Sequence, residues 1–282
     1  MSPVSPRRFA WFRLLLGAWL LFFLAPLLPF ATELFGRDGV LPVAPYQPGF
    51  PNLLGRIDAA PGPTLFVAAL CVLATCFAAG VGRAACAVGL WYGLACLTGR
   101  NPGIANPALP FVGWLLLATA LVPAGESLRA ATPAAREGFR LPRFLYGGAW
   151  WITALAYTVS GFDKLASPRW LDGSAVPLVA GLPFARPHAL AEAIAAAPDA
   201  LAGALTASAL AAELLFAPLA AVRRLRPLAW LAGAGLQLGL LVVMDFPEIS
   251  LAMLLVHLFL FDERWWVRGA PRDQRGAGSA RR

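Results

Sequence analysis

The sequence predicts an all-α integral membrane protein of about eight transmembrane helices, with both termini cytoplasmic and two long outer loops. Three observations predict it. Composition comes first: 59% of the 282 residues are hydrophobic and 13% charged, where a soluble domain carries about 25% charged residues. Second, the apolar residues come in runs long enough to cross a hydrocarbon core of ~30 Å. Third, basic residues alternate from one loop to the next as the positive-inside rule requires.

The elements follow from apolar windows bounded by charge, Pro or Gly: 10–30, 64–82, 85–98, 109–123, 144–163, 200–221, 227–244 and 248–262. Arg7, Arg8 and Arg13 precede the first window. That run outlasts a signal-peptide core and has no clear small-x-small cleavage site, so it reads as a retained helix. Pro26 and Pro29 mark its end, and Pro218 lies near the end of the sixth window. With the N-terminus inside, 17 basic residues fall in cytoplasmic segments and 6 in outer ones, while acidic residues divide nine outside to five inside. A miscounted helix would scramble that alternation.

The outer loops cover residues 31–63, Pro- and Gly-rich from Pro45 to Pro63, and 164–199, with an interfacial helix predicted from His188 to Ala197. The expected organisation is one transmembrane domain over 1–266 and a disordered basic tail over 267–282. The tail would meet the anionic leaflet of the inner (plasma) membrane. A net charge of +8 could point to nucleic acid, but no basic face with interleaved aromatics occurs, and no nucleic-acid partner is expected. Cys71, Cys76, Cys86 and Cys96 sit inside apolar windows without a Cys-x-x-Cys. They read as small buried hydrophobes, and no metal site is expected.

Ionisable and amide groups inside membrane windows are costly, so each is a functional candidate with a partner to be found. Of 23 basic residues only one, Lys164, is a lysine, and a lysine can lose its proton on burial where an arginine cannot. Its plain reading is an interfacial side chain paired to Asp163 or Asp172. Its functional reading is a general base in a pocket lined by Tyr157 and Ser160 on the same helix face. Glu213 and Gln237 lie ~12 Å and ~15 Å from the inner ends of adjacent helices by helical rise, so the amide is placed to bond the carboxyl. That pair reads as an interhelical clamp or as a substrate- or proton-linked site. His257, without an acidic or His neighbour at helical spacing, reads as a buried interhelical hydrogen bond.

The pattern Tyr157-x-x-Ser160-Gly161-x-x-Lys164-Leu165 followed by Trp170-x-x-Gly173 resembles the signature of the HTTM (horizontally transferred transmembrane) family, shared with the membrane part of vitamin K-dependent gamma-carboxylases. Arg37-Asp38-Gly39-Val40-Leu41-Pro42 and Arg100-Asn101-Pro102-Gly103-Ile104-Ala105-Asn106 resemble its first two outer loops. Glu213-Leu214, Phe246-Pro247 and Phe261-Asp262-x-x-Trp265 follow in the family's order, so the likeness runs over residues 9–266. The resemblance implies that Lys164 is the base that deprotonates a reduced quinone, with a site for a quinol-like lipid or a secreted peptide in the outer half of the membrane. Asp163 stands where the carboxylases carry a second lysine, and Trp170 comes one residue later than theirs. Gln237 occupies a position where a His is expected. Only 17 residues follow Trp265, so gamma-carboxylation of a protein substrate is not expected.

Three readings stand at this point. The chain is an enzyme using Lys164 on a quinol-like or peptide substrate, a non-catalytic component of a peptide maturation or export system, or a membrane redox component of the DoxX type. The third has about half as many helices as this sequence predicts.

Overall fold

A computed structural model describes residues 4–42, 50–128 and 139–267. Arg129, Arg136, part of the Pro-rich stretch and the tail from Arg268 lie outside the described residues. Among those described the chain is helical, without strands; an isolated antiparallel bridge joins Ala185 to Met244.

Numbered in chain order, the helices are α1 (Pro6–Leu24), α2 (Ala31–Phe35), α3 (Gly62–Ala79), α4 (Arg83–Arg100) and α5 (Leu109–Leu121), then α6 (Arg143–Leu165). Three short helices follow: α7 (Pro168–Leu171), α8 (Ala175–Ala180) and α9 (Ala189–Ala195). The last are α10 (Asp199–Leu214), α11 (Phe216–Ala221), α12 (Arg226–Val243), α13 (Pro247–Leu260) and α14 (Arg264–Val267). Each of the eight apolar windows is helical. The predicted interfacial helix is α9, capped by His188, whose Nδ1 accepts from Ala191 N at 3.1 Å while Nε2 meets the carbonyl of Val242 at 2.8 Å.

Length and composition qualify fewer of these as spans. Three stretches are long and apolar enough to cross a membrane: Pro6–Phe35, Gly62–Ala79 and Arg226–Val243. A fourth exists if α9 and α10, bent by 103°, are taken together. With 13 and 14 residues, α5 and α13 reach only ~20 Å at 1.5 Å per residue. Aromatic, hydroxyl and glycine residues dilute the apolar content of α6. Two boundaries also differ from expectation. Pro26 and Pro29 do not end the first helix; they tighten it into a 3-10 turn, Ala25–Phe30, that runs on into α2. The sixth window breaks at Leu215.

Core packing explains where the buried polar groups end up. Helix α13 lies between the two halves of the bundle, touching α1 and α5 on one side and α6 and α12 on the other. Along α6 the usual polarity of a surface helix is inverted. Phe144, Trp151, Leu155, Val159 and Phe162 are exposed, while Thr153, Tyr157 and Gly161 face inward. Helix α12 repeats this, with Leu228, Leu231, Leu238 and Val242 outward and Ala229, Gly233, Ala234 and Gln237 buried. Large apolar residues outside, with small residues such as Gly161 and Gly233 at the inner contacts, suit helices packed together in lipid, where close backbone approach and interhelical hydrogen bonds add to the packing.

Candidate functional site

The site begins with spacing on α6. Tyr157, Ser160, Gly161 and Lys164 fall at i, i+3, i+4 and i+7, so all share one face. Gly161 lets that face meet α10: a Cβ there would lie 3.0 Å from the backbone nitrogen of Leu214. The two helices run antiparallel through this point, with Thr158 against the Glu213–Ala217 turn and Tyr157 stacked on Phe216 at 4.6 Å.

Lys164 does not reach outward. Its Nζ folds back one turn along α6 to donate to Ser160 Oγ at 2.8 Å and to Glu213 Oε2 at 2.6 Å. Long helical side chains lean toward the helix N-terminus, which here is deeper into the bundle. The Trp170 ring covers the ammonium at 5.2 Å, leaving the Lys164 side chain 24% exposed and that of Glu213 10%. Trp170 is held by the turn that follows it. Gly173, at φ +85°, lies so close to α10 that a Cβ would come within 2.9 Å of Gly203 Cα, and its carbonyl accepts from the buried Thr206 hydroxyl at 2.8 Å.

The expected carboxylate partners of Lys164 are therefore the wrong ones. Asp172 is fully engaged elsewhere: its Oδ1 accepts from the Ser174 hydroxyl and backbone nitrogen, which holds its carboxyl below the usual range, and Arg169 lies 3.9 Å away. Asp163 points off the shared face, one residue out of helical phase.

Glu213 is positioned by a break in its own helix. The hydroxyl of Thr158 donates to the Glu213 carbonyl at 3.2 Å and accepts from Ala217 N at 3.1 Å, so it occupies the rung these two groups would otherwise make with each other. A side chain inserted into the i→i−4 ladder is a recognised cause of kinking, and Pro218, lacking an N–H, removes the next rung. Thr158→Val keeps the shape but leaves both backbone groups unpaired. It is expected to lower stability by about 1–2 kcal/mol, measured as reversible unfolding in detergent micelles. An unchanged midpoint would show that α10 and α11 hold their break without it.

One turn below the ion pair, a second set of predicted residues converges. Gln237 Nε2 donates to the Tyr157 hydroxyl at 2.9 Å, and that hydroxyl lies 3.0 Å from His257 Nε2. Tyr157 accepts from the amide and, in the tautomer with Nε2 unprotonated, donates its own proton to the imidazole. His257 Nδ1 and Gln237 Oε1 are buried without a hydrogen-bond partner in the described residues. The expected Glu213–Gln237 bond is not made. Gln237 is turned to Tyr157 because α13 brings His257 into the same layer, and Glu213 is taken by Lys164.

All seven predicted residues thus lie in two connected layers on α6, α7, α10, α12 and α13: Lys164, Ser160, Trp170 and Glu213 above, Tyr157, Gln237 and His257 below. Sequence reasoning passed over Thr158, Phe216 and Gly233, which set the spacing, and named Gly161 only as part of the motif. Thr158 is visible in retrospect, since a threonine beside a helix containing Pro218 is a candidate to replace a missing rung. Arg100 reads in the sequence only as the start of a loop motif, with no partner assigned. That side chain is 2% exposed and donates to the carbonyls of Leu41 and Gly36 at 2.6 and 2.7 Å, while Asn101 Nδ2 holds the Leu34 carbonyl at 3.0 Å. These bonds lock the two loops singled out by the resemblance onto each other.

No family model, no curated protein and no solved structure matches this chain.

Proposed function

We propose that this chain is a multi-pass membrane protein of the HTTM class, with about eight spans and both termini on the cytoplasmic face, in which Lys164 and Glu213 accept a proton from a lipid-soluble hydroxyl compound of the quinol class. The observation that carries this reading is the placement of the Lys164 ammonium. It is folded inward between Glu213 Oε2 and Ser160 Oγ under the Trp170 face rather than extended to water. Support for the spans comes from the eight helical windows, the outward apolar faces of α6 and α12, and the loop-by-loop charge alternation.

The chemistry is a proton exchange within the pair. The ammonium passes a proton to the Glu213 carboxylate, leaving a neutral amine and a carboxylic acid. The amine then takes the proton of the substrate O–H; the O–H bond breaks, its electron pair stays on oxygen, and the new ammonium lies beside the resulting oxyanion. Glu213 later releases its proton to water. A substrate that displaces water from around the pair favours the exchange, because desolvation penalises two charges more than a neutral couple.

The Lys164–Glu213 bond also supports a second reading, an interhelical clamp in a non-catalytic component of a secreted-peptide maturation or export system. One substitution separates them. Lys164→Arg keeps the charge and the ion pair but cannot serve as a base near neutral pH. In cells lacking the native gene, Lys164→Arg at matched membrane abundance and thermal stability is expected to behave like the null. Full complementation by the arginine variant would end the proton-transfer reading and leave the clamp.

A further inference from the structure

A cleft of about 290 Å³ lies away from the Lys164 layer, where the end of α1 meets the α4–α5 loop and the start of α13. Its walls include Phe22, Phe23, Leu27 and Phe246, with Asn106 and Glu248 as the polar contributors. Trp19 stacks on Phe23 at 5.5 Å and donates its indole N–H to the Glu248 backbone carbonyl at 2.9 Å, so the aromatic wall and the start of α13 are tied together. The Glu248 carboxylate itself has neither a hydrogen bond nor an ion pair to any described residue. A carboxylate in the first turn of a helix is favoured by the helix dipole, which accounts for an acid at this position but not for the hollow it lines.

We infer that this cleft binds a small apolar molecule carrying a protonated amine, with the ammonium on Glu248 and the apolar body against the phenylalanines. Three features select this chemistry. An unpaired, partly exposed carboxylate on the wall of a mainly apolar cleft attracts a cation, and a charge-assisted hydrogen bond is the stronger kind available to it. Aromatic faces attract ammonium groups in the same sense. Among the described residues no basic side chain lines the cleft, so a phospholipid headgroup would set its phosphate beside Glu248 with none of them to neutralise it. The ligand is therefore a phosphate-free amine.

The test uses the full chain in phosphatidylcholine nanodiscs and three probes of matched shape: 4-phenylbutylamine, 4-phenylbutanol and 4-phenylbutyrate. Equilibrium dialysis, with empty discs subtracted, is expected to rank the amine first, at least about tenfold above the alcohol, with the carboxylate weakest. Glu248→Gln is expected to erase the preference for amine over alcohol while leaving alcohol binding in place. Leu27→Trp, which narrows the cleft and keeps the carboxylate, is expected to weaken binding of all three probes. Equal affinity for amine and alcohol in the unaltered protein would overturn the proposal, whatever the variants do. So would undiminished amine binding in Leu27→Trp, or displacement of the amine by phosphatidylethanolamine added to the disc.

Discussion

Lys164→Met is expected to destabilise the protein by about 2–4 kcal/mol and Glu213→Leu by less, about 1–2 kcal/mol, with the double variant costing clearly less than their sum. Removing one member of a buried pair leaves an uncompensated charge, a change worth about 3–5 kcal/mol when burial is complete. The two partners are not equally buried. Glu213 has a 10% exposed side chain and Lys164 24%, so a stranded carboxylate suffers more than a stranded ammonium, which has the option of turning outward to the interface. That asymmetry sets the order of the two single variants. A double-mutant cycle on unfolding in micelles measures the coupling directly. Strict additivity would mean that the 2.6 Å contact contributes no interaction. Lys164→Met no worse than Glu213→Leu would mean that the carboxylate reaches water when its partner is gone.

Gly233→Ala is the second large effect, expected at about 2–3 kcal/mol from a single methyl group. An added Cβ would lie 2.6 Å from His257 Cε1, 2.9 Å from His257 Nε2 and 2.7 Å from Phe216 Cε2. Neither ring has freedom to retreat: His257 is bonded to Tyr157, and Phe216 is stacked on the same tyrosine. Overpacking of a tight core costs about 1–3 kcal/mol, and displacing the imidazole adds the loss of its hydrogen bond. The mechanism makes a further demand. In a Tyr157→Phe background that bond is already absent, so Gly233→Ala should cost measurably less there than in the unaltered protein. The same penalty in both backgrounds would show that the methyl acts on Phe216 alone.

How much of this was legible beforehand differs between fold and site. The eight helical windows emerge from apolar runs and their boundaries because a segment without enough charge to face water has few alternatives to a helix in lipid. The candidate residues were equally legible, since a polar side chain in an apolar window is conspicuous by its cost. Their pairings were not. Gln237 and Glu213 have matching depths on adjacent helices, yet depth along an axis says nothing about rotation around it. The crossing of α6 over α10 at Gly161 and the arrival of α13 with His257 are three-dimensional facts that a one-dimensional spacing does not contain. The local failures have similar causes. Pro26 and Pro29 read as a helix end in the sequence, whereas the chain continues there through a 3-10 turn.

By itself, then, the sequence determined an all-helical chain with stretches apolar enough to cross a membrane, and it singled out Lys164 as the one amine in a chain of arginines. Only the tertiary structure decided what that lysine does with its charge. Composition placed it at the end of α6, where a side chain is free to turn toward water or back along its own helix. The close approach permitted by Gly161, the rung supplied by Thr158 and the carboxylate of Glu213 turn it inward. The reason is electrostatic: an ammonium at the rim takes the partner that packing brings within 3 Å, and that partner lies 49 residues further along the chain.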